Sequence, residues 1–328
     1  MKIHRWLDFK VTKRCNNYSK KCAYCNVPVE RENIKEQMPL SVIHRTLLDA
    51  RSLGFDTFWL LGGEPSLRED AHELIAPLND DPDVMLTILS NGKKRNDKMY
   101  YSLFDTSARR ACIQISLDTL QPDNFKRADP AYSLALISDI KQMAIHMSRI
   151  NHLCDVEVHC VISRENHKEF DQFVRFFAAK GIGVSLAMVC PWLIVEENPQ
   201  NLNEFIKEEV ISIATRIDHL HTGLEVDNFN PSVAAFIRKV LQETSPNSQM
   251  FCGAGLTHLI INGDGAVHRC MAESFLPTTS FGNIISERLH SIVRRLDVAC
   301  SCRIKADCFD GFAWDKLAME AFQGGYKK

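Results

Sequence analysis

Three cysteines near the start of the chain are spaced so that their sulfurs can surround one metal centre. Cys15, Cys22 and Cys25 fall within a single loop, and two residues separate the last two of them. A closed structural site uses four protein ligands, whereas an iron–sulfur cubane held by three cysteines leaves one iron open for chemistry. The spacing therefore predicts an open iron–sulfur site, with a zinc knuckle or buried thiols without metal as the alternatives.

A second group of cysteines lies near the end of the chain. Cys252 and Cys270 flank a predicted hairpin over residues 259–268 with an Asp-Gly turn, and Cys302 and Cys308 follow. Four thiolates predict a closed site for a second cluster, with a four-cysteine zinc site as the competing interpretation. Cys300 is an alternative to Cys302, because two cysteines one residue apart seldom both bind the same iron.

Composition excludes several classes of protein. Lysine and arginine total 39 against 41 acidic residues in 328, so charge predicts neither a nucleic-acid nor a membrane partner. The N-terminus lacks the apolar core of a signal peptide, which predicts a cytoplasmic protein. In such a chain the twelve cysteines are better explained by metal binding and buried thiols than by disulfides. We interpret four of them as buried small hydrophobes: Cys112, Cys154, Cys160 and Cys190.

The positioning elements alternate between strand and helix. Six strands are predicted within residues 3–12, 57–61, 85–89, 112–117, 156–162 and 184–189. Helices are predicted over 39–54, 66–76, along a stripe from Leu136 to Met147, from a cap at Asn166 to Gly181, and over 202–220 and 233–241. This alternation predicts an α/β fold with a parallel sheet, and the apolar runs favour strands that are buried on both faces.

Unusual residues follow the predicted strands where ligands collect in parallel sheets. Gly62 and Gly63 would let a ligand approach the backbone, and Glu64 adds a carboxylate that could receive an ammonium group. The other strand ends carry polar side chains that could bind hydroxyl groups, namely Ser90, Asn91, Ser116 and Asp118. Taken alone, each motif is more often a turn or a helix cap than a ligand site.

Taken in order, these motifs over roughly residues 5–190 resemble the radical S-adenosylmethionine (radical SAM) superfamily. One departure is the loop, where six residues rather than the usual three separate Cys15 from Cys22. Further along, Cys252, Gly265 and Cys270 resemble the opening of the auxiliary-cluster domains called SPASM and twitch. Five cysteines from Cys252 onward are too few for the two clusters of a full SPASM domain, which favours the one-cluster twitch form.

The resemblance implies three regions and a set of site residues. Residues 1–195 would form a partial (β/α)6 TIM-like barrel, 196–248 a helical bridge, and 249–328 a small cysteine-rich α+β twitch/SPASM-like domain. The N-terminal cysteines would hold a [4Fe-4S] cluster that binds S-adenosylmethionine, and the C-terminal ones a second, auxiliary [4Fe-4S] cluster. Contacts to S-adenosylmethionine would come from Tyr24 beside the adenine, from Gly62, Gly63 and Glu64 at the methionine end, from Ser116 and Asp118 near the ribose, and from Ser90, Asn91 and Arg127.

The same resemblance implies an enzyme that cleaves S-adenosylmethionine reductively and removes a hydrogen atom from its substrate. A reducing partner such as flavodoxin or ferredoxin would supply the electron. Only 14 residues precede Cys15, too few for a fused peptide-recognition domain, which favours oxidation or rearrangement of a small biosynthetic metabolite over peptide maturation. A non-catalytic iron–sulfur or zinc protein that senses redox state is the alternative from another class. No catalytic acid, base or hydrogen donor can be named.

Overall fold

The computed structural model describes the parts of the chain that carry most of the predicted strands. The described residues are 4–18, 22, 25, 29–31, 37–121, 129–148, 152–163, 165–188, 209, 212–213, 215–217, 219–220, 255, 257–270, 274 and 280–296. No helix among them has the length and apolar character that a membrane span requires.

One eight-stranded sheet organises these residues. Its strands are β1 (Trp6–Thr12), β4 (Thr57–Gly62), β5 (Met85–Ser90), β6 (Arg110–Ser116), β7 (Leu153–Ile162), β8 (Gly183–Met188), β9 (His258–Ile261) and β10 (Val267–His268). The strand order is β10-β9-β1-β4-β5-β6-β7-β8, and every neighbouring pair is parallel except β9 with β10. Two short strands, β2 (Arg14–Cys15) and β3 (Glu30–Arg31), pair separately. The six predicted strands and the α/β class are confirmed, as an open sheet consistent with a partial barrel.

Helices cover one face of this sheet. They are α1 (Leu40–Ser52), α2 (Asp97–Phe104), α3 (Pro130–Met147), α4 (Phe170–Ala178) and α5 (Leu289–Arg295). The sequence analysis did not anticipate α2 or α5. In the predicted helix over 202–220, the described residues are helical and Ile213, Ile217 and Leu220 are buried. The helix predicted over 233–241 lies outside the described residues.

The helix predicted over 66–76 is wrong. Three 3₁₀ turns replace it, over Pro65–Leu67, Ala71–Glu73 and Ala76–Leu78. The side chain of Arg68 is fully buried, and its guanidinium donates to the carbonyl oxygens of Val11 and Met38. These bonds hold the segment against the end of β1, so long-range contacts rather than a helical stripe decide its path.

The cap predicted at Asn166 is also wrong. Helix α4 begins at Phe170, and the Asn166 amide instead donates to the carbonyl oxygens of Asp118 and Val161, both at 2.9 Å. Asn166 therefore joins the ends of β6 and β7.

Apolar and polar side chains alternate along the strands of the sheet. Leu7, Phe9 and Val11 pack with the helices in the hydrophobic core, whereas Asp8 and Lys10 point to the opposite side. The opposite side, here called the polar face, is also buried, and includes Asp8, Lys10, Thr87, Gln114, Ser116, Glu157 and His258. The prediction that the strands are buried on both faces is confirmed, although one of the two faces is built from polar and ionisable side chains.

Residues from the C-terminal region complete the sheet. The predicted hairpin is confirmed as β9 and β10, and β9 runs parallel to β1 with Trp6 opposite His258. Helix α5 then packs on α1, where the buried carboxylate of Asp49 accepts from Arg288 Nε at 2.8 Å and from the backbone N–H of Leu289 at 3.2 Å. The C-terminal region is thus held directly on the N-terminal half.

Candidate functional site

Three neighbouring strand ends form the site. Strand β1 leads into the cysteine loop through Cys15, β4 ends at Gly62, and β5 ends at Ser90. Because β1, β4 and β5 are parallel neighbours, their carboxyl ends share one edge of the sheet. The structure therefore brings together the three motifs that the sequence analysis placed after separate strands.

The two glycines allow the backbone to approach closely at this edge. A Cβ atom on Gly63 would lie 2.1 Å from the carbonyl oxygen of Arg14, and one on Gly62 would lie 2.4 Å from that of Thr12. The N–H groups of Gly63 and Glu64 donate to those same oxygens, of Thr12 and Arg14, at 2.8 and 2.7 Å. The glycine pair thus fixes the start of the cysteine loop, and these two N–H groups bind the protein itself.

Glu64 joins β4 to β5 through its carboxylate. The side chain is fully buried, and Oε1 accepts from the Ser66 N–H at 3.0 Å and the Ser90 hydroxyl at 2.8 Å, while Oε2 accepts from the Asn91 N–H at 2.6 Å. Burial raises the pKa of Glu64 above its ordinary value, although these donors favour the ionised form. The prediction that Glu64 receives an ammonium group remains a prediction.

Asn91 extends this network to the cysteine loop. Its side-chain amide donates to Asn16 Oδ1 at 2.7 Å, and its own Oδ1 accepts from the Lys93 N–H at 3.0 Å. One chain of hydrogen bonds therefore runs from Glu64 through Asn91 to the residue that follows Cys15.

The cysteine loop presents sulfurs together with N–H donors. Cys15 is buried, whereas Cys22 and Cys25 are partly exposed. Asn17 donates its backbone N–H to Cys15 Sγ at 3.3 Å and its side-chain amide to Cys22 Sγ at 3.8 Å. Among the described residues, no three His, Cys, Asp or Glu side chains are grouped as a single metal ion would need. Three thiols with N–H donors directed at the sulfurs are a donor set that fits an iron–sulfur cluster.

The thiol of Cys15 is strongly affected by its surroundings. Burial raises the pKa of Cys15 to about 11, and the nearby Glu64, Cys25 and Cys22 add to the rise. The hydrogen bond from the Asn17 N–H acts in the opposite direction and lowers the pKa. Binding to iron requires the thiolate, so loading of this site releases a proton from Cys15.

Ser116 and Asp118 lie at the end of β6, beside β5 in the sheet. Ser116 is buried on the polar face, opposite His159 of β7. Asp118 is also buried, and its Oδ1 accepts from the backbone N–H of Val161 at 2.8 Å. Asp118 thus joins β6 to β7 at the carboxyl edge, and its predicted contact with ribose remains a prediction.

The sequence analysis missed a polar network around Lys10. The buried Lys10 ammonium donates to Asn262 Oδ1 at 2.7 Å and lies 3.4 Å from Ser274 Oγ, while the Asn262 amide donates to the Ser274 carbonyl at 2.9 Å and lies 3.2 Å from His268 Nε2. Burial lowers the pKa of Lys10 to about 8, although Asp8 and Cys25 favour its charged form. The period-two spacing of Asp8 and Lys10 in an apolar strand is the signal that could have revealed it.

A second polar group spans β6 and β7. Glu157 accepts from Gln114 Nε2 at 2.8 Å and also pairs with the guanidinium of Arg110. On the edge beyond β1, His258 lies 3.0 Å from Asp8 Oδ2. The polar face therefore presents buried charges and amides on both sides of the site.

Several predicted residues lie outside the described residues. They are Tyr24, Arg127, Cys190, Cys252, Cys300, Cys302 and Cys308. Of the predicted auxiliary ligands, Cys270 is described: it is buried and lies two residues after the end of β10. Cys112, Cys154 and Cys160 are buried, as predicted.

Comparison with protein families finds one match across the strands that form the site. Residues 9–207 match the model described as the radical SAM superfamily. GTP 3′,8-cyclase from Clostridium perfringens (strain SM101 / Type A) is 33% identical over 124 residues, which is 37% of this chain and 36% of that protein. The match thus spans little more than a third of that relative. A GTP 3′,8-cyclase from Marinobacter nauticus is 26% identical over 254 residues, 75% of this chain and 73% of that protein.

Solved structures share the fold at low sequence identity. Streptococcus suis SuiB bound to precursor peptide SuiA superposes with a TM-score of 0.70 and 16% identity, covering 92% of this chain and 67% of SuiB. The protein anSMEcpe with bound AdoMet and Cp18Cys peptide gives a TM-score of 0.60 and 14% identity, covering 97% of this chain and 95% of that protein. At these identities the likeness describes the fold.

Proposed function

Because the chain belongs to the radical SAM superfamily, whose members bind a [4Fe-4S] cluster and S-adenosylmethionine, we propose that it oxidises or rearranges a small polar biosynthetic metabolite. When bound, the cluster and S-adenosylmethionine supply an electron and a 5′-deoxyadenosyl radical that removes a hydrogen atom from the substrate. A low-potential protein such as flavodoxin or ferredoxin is the proposed electron source. The protein contributes binding, orientation and exclusion of water.

The chain's own residues divide this work. Cys15, Cys22 and Cys25 would hold the cluster, and the Gly62-Gly63-Glu64 segment would bind the methionine end of S-adenosylmethionine. The hydrogen bonds from Glu64 through Asn91 to the cysteine loop keep the strand ends in a fixed relation. Fixed geometry matters because small displacements between reacting atoms cost large factors in rate.

The polar face is the observation that carries the substrate class. Lys10, Gln114 and Glu157 lie on the strands that lead to the cysteine edge, and all three are buried. Charged and amide groups on rigid strands suit a compact substrate with hydroxyl, amide or ionised groups. The relatives that resemble this chain in sequence are named GTP 3′,8-cyclases, which act on a small molecule, and they support the same class.

Modification of a peptide is the second candidate. SuiB is described with a precursor peptide and anSMEcpe with a Cp18Cys peptide, and both share this fold. A peptide would enter as an extended chain and bind through backbone hydrogen bonds. Its recognition therefore needs fewer buried charged side chains than the recognition of a small polar ligand does.

The C-terminal region, residues 249–328, would form a twitch/SPASM-like domain. Cys252, Cys270, Cys308 and one of Cys300 and Cys302 would hold an auxiliary [4Fe-4S] cluster. The support from geometry is that Cys270 is buried two residues after β10, whose partner strand β9 pairs with β1. Zinc at these cysteines is the alternative.

Anaerobic reconstitution followed by an assay for 5′-deoxyadenosine tests the proposal. Dithionite and S-adenosylmethionine are added, and candidate metabolites and peptides are compared for their ability to stimulate the release of 5′-deoxyadenosine. Cys22→Ala is expected to abolish cleavage, with Cys112→Ala, a buried cysteine on β6, as the matched control. Turnover with peptides alone would overturn the metabolite class. Bound iron without cleavage would instead favour the non-catalytic, redox-sensing alternative.

A further inference from the structure

We propose that Asn17 is a positioning residue that raises the reduction potential of the cluster held by Cys15, Cys22 and Cys25. This inference rests on cluster binding by these cysteines. Asn17 lies in the six-residue segment between the first two of them, two residues after Cys15. No other part of the proposed mechanism uses this side chain.

Two contacts place Asn17 between two of the sulfurs. Its backbone N–H points at Cys15 Sγ from 3.3 Å, and its side-chain amide points at Cys22 Sγ from 3.8 Å. Sulfur accepts hydrogen bonds at longer distances than oxygen does. One residue therefore directs N–H dipoles at two of the three cysteines.

Burial makes this orientation meaningful. Asn17 is only 4% exposed, and its Oδ1 is buried without a hydrogen-bond partner in the described part of the chain. An unpaired buried acceptor is costly, so the amide would be expected to turn unless something held it. Rotating the amide would direct Oδ1 at the sulfur of Cys22, where two acceptors would face each other. The orientation thus favours a sulfur that carries negative charge.

Electrostatics gives the direction of the effect. Reduction adds negative charge to a cluster and its thiolates, and an N–H dipole directed at a sulfur stabilises the reduced form more than the oxidised form. Hydrogen bonds to the sulfurs are among the factors that set iron–sulfur potentials. Removing the Asn17 amide should therefore lower the potential and make the cluster harder to reduce.

A redox titration monitored by electron paramagnetic resonance tests this without substrate turnover. Reconstituted full-length protein is titrated without S-adenosylmethionine, as wild type, Asn17→Ala, Asn17→Leu and Asn79→Ala. Leucine at position 17 fills a similar volume and keeps water from replacing the donor. Asn79 is the matched control, since it lies before β5, at the edge of the sheet opposite the cysteine loop, where its carbonyl accepts from the Ser107 N–H.

Both Asn17 variants are expected to make reduction about tenfold less favourable, which is a shift of ~59 mV for one electron. Asn79→Ala should leave the potential near that of the wild type. A loaded Asn17→Leu protein with the wild-type potential would overturn the inference. A wild type that binds no iron would instead overturn the proposed function.

Wild-type protein provides a second measurement if the Asn17 variants bind little iron. The asparagine side-chain amides are labelled selectively with ¹⁵N, and the reduced cluster is studied by pulsed electron paramagnetic resonance. The spectrum should show a magnetic coupling between the cluster and the ¹⁵N nucleus of one nearby amide. A reduced cluster with no such coupling would contradict the contact between Asn17 and the sulfur.

Discussion

Glu64 shows how a single carboxylate can be both a candidate ligand group and a structural joint. Its two oxygens already accept from Ser66, Ser90 and Asn91, and no part of the side chain is exposed. A carboxylate in this position costs desolvation whenever it is ionised, and the donors offset only part of that cost. The ionisation of Glu64 should therefore influence folding as well as ligand binding.

The Glu64→Gln variant should reveal this as a pH-dependent difference in stability. Because the folded-state pKa lies above the ordinary value of 4.5, the folded protein binds this proton more tightly than the unfolded chain does. The contribution of the tighter proton binding at Glu64 to the free energy of unfolding is fully present below pH 4.5, and it is lost as the pH rises through the pKa of the folded state. The free energy of unfolding of the wild type should thus fall relative to that of Glu64→Gln toward neutral pH.

Urea unfolding of the two proteins at several pH values measures this difference. Glu69→Gln, an exposed position in the following turn, controls for the chemical change. If the wild type instead gained stability over Glu64→Gln toward neutral pH, the hydrogen bonds would outweigh burial.

Residue types at the strand ends were predictable, but their contacts were not. The motif Gly62-Gly63-Glu64 predicted a site at this edge, yet its N–H groups and its carboxylate bind the protein itself. Those contacts depend on how closely the ends of β1 and β4 approach, which is a long-range property. Asn17 was missed for the same reason: only the folded loop shows that it faces two sulfurs.

At the scale of elements, the packing of β4 against the cysteine loop leaves no space for a side chain at position 63. Gly63→Ala places a methyl group against the backbone of Arg14, which cannot move without displacing the loop. We expect a destabilisation of about 1–3 kcal/mol, as is typical of overpacking, and a large loss of bound iron. Iron and sulfide per chain after anaerobic reconstitution, together with urea unfolding, measure both effects.

Gly181→Ala provides the control for this substitution. Gly181 has a positive φ of 61°, but the nearest atom to an added Cβ is the end of Lys141, 3.8 Å away. That variant should lose stability through backbone strain while retaining its iron. Equal loss of iron in both variants would indicate general unfolding rather than displacement of the loop.

Lys10 carries a prediction about the hairpin beside β1. Its pKa of about 8 lies below the ordinary 10.5, so the folded protein binds this proton less tightly than the unfolded chain does. This contribution to stability is present above pH 10.5 and is lost as the pH falls toward 8. Between pH 8 and 10, the wild type should therefore gain stability relative to Lys10→Met, by up to about 3 kcal/mol over the whole interval.

Urea unfolding at pH 8, 9 and 10 tests this prediction, with the exposed Lys94→Met as the control. A constant difference between wild type and Lys10→Met across these pH values would contradict it. Lys10→Met also leaves Asn262 Oδ1 without its donor, which adds a cost that does not vary with pH.

The strands and helices were predicted correctly where the local sequence pattern determines them. Each strand of the parallel sheet was recognised, because short β-branched runs bounded by turn residues determine strands locally. The segment 66–76 failed because the buried Arg68 binds backbone carbonyls far away in sequence. The pairing of β9 with β1 joins residues about 250 positions apart, and no local pattern specifies such a partner.

At the scale of the whole molecule, the described C-terminal residues are built onto the N-terminal half. Strand β9 extends the sheet beside β1, Asn262 binds Lys10, and Arg288 binds Asp49 on α1. Cys15 and Cys270, one from each cysteine group, are therefore attached to the same strand pair, since Cys15 follows β1 and Cys270 follows the hairpin of β9 and β10. A second cluster at Cys270 would be held by the same framework as the first.

Metal content then separates the two proposed clusters. If both groups bind a [4Fe-4S] cluster, the wild type should contain about eight iron atoms per chain, and Cys270→Ala about four. Cleavage of S-adenosylmethionine should persist in Cys270→Ala, because the proposed ligands of the cluster that binds S-adenosylmethionine are the N-terminal cysteines. Substrate oxidation that needs the second cluster should be lost. Cys112→Ala, another buried cysteine, is the control and should keep all its iron. About four irons in the wild type, with zinc that is lost in Cys270→Ala, would assign the C-terminal site to zinc and favour a redox-neutral reaction.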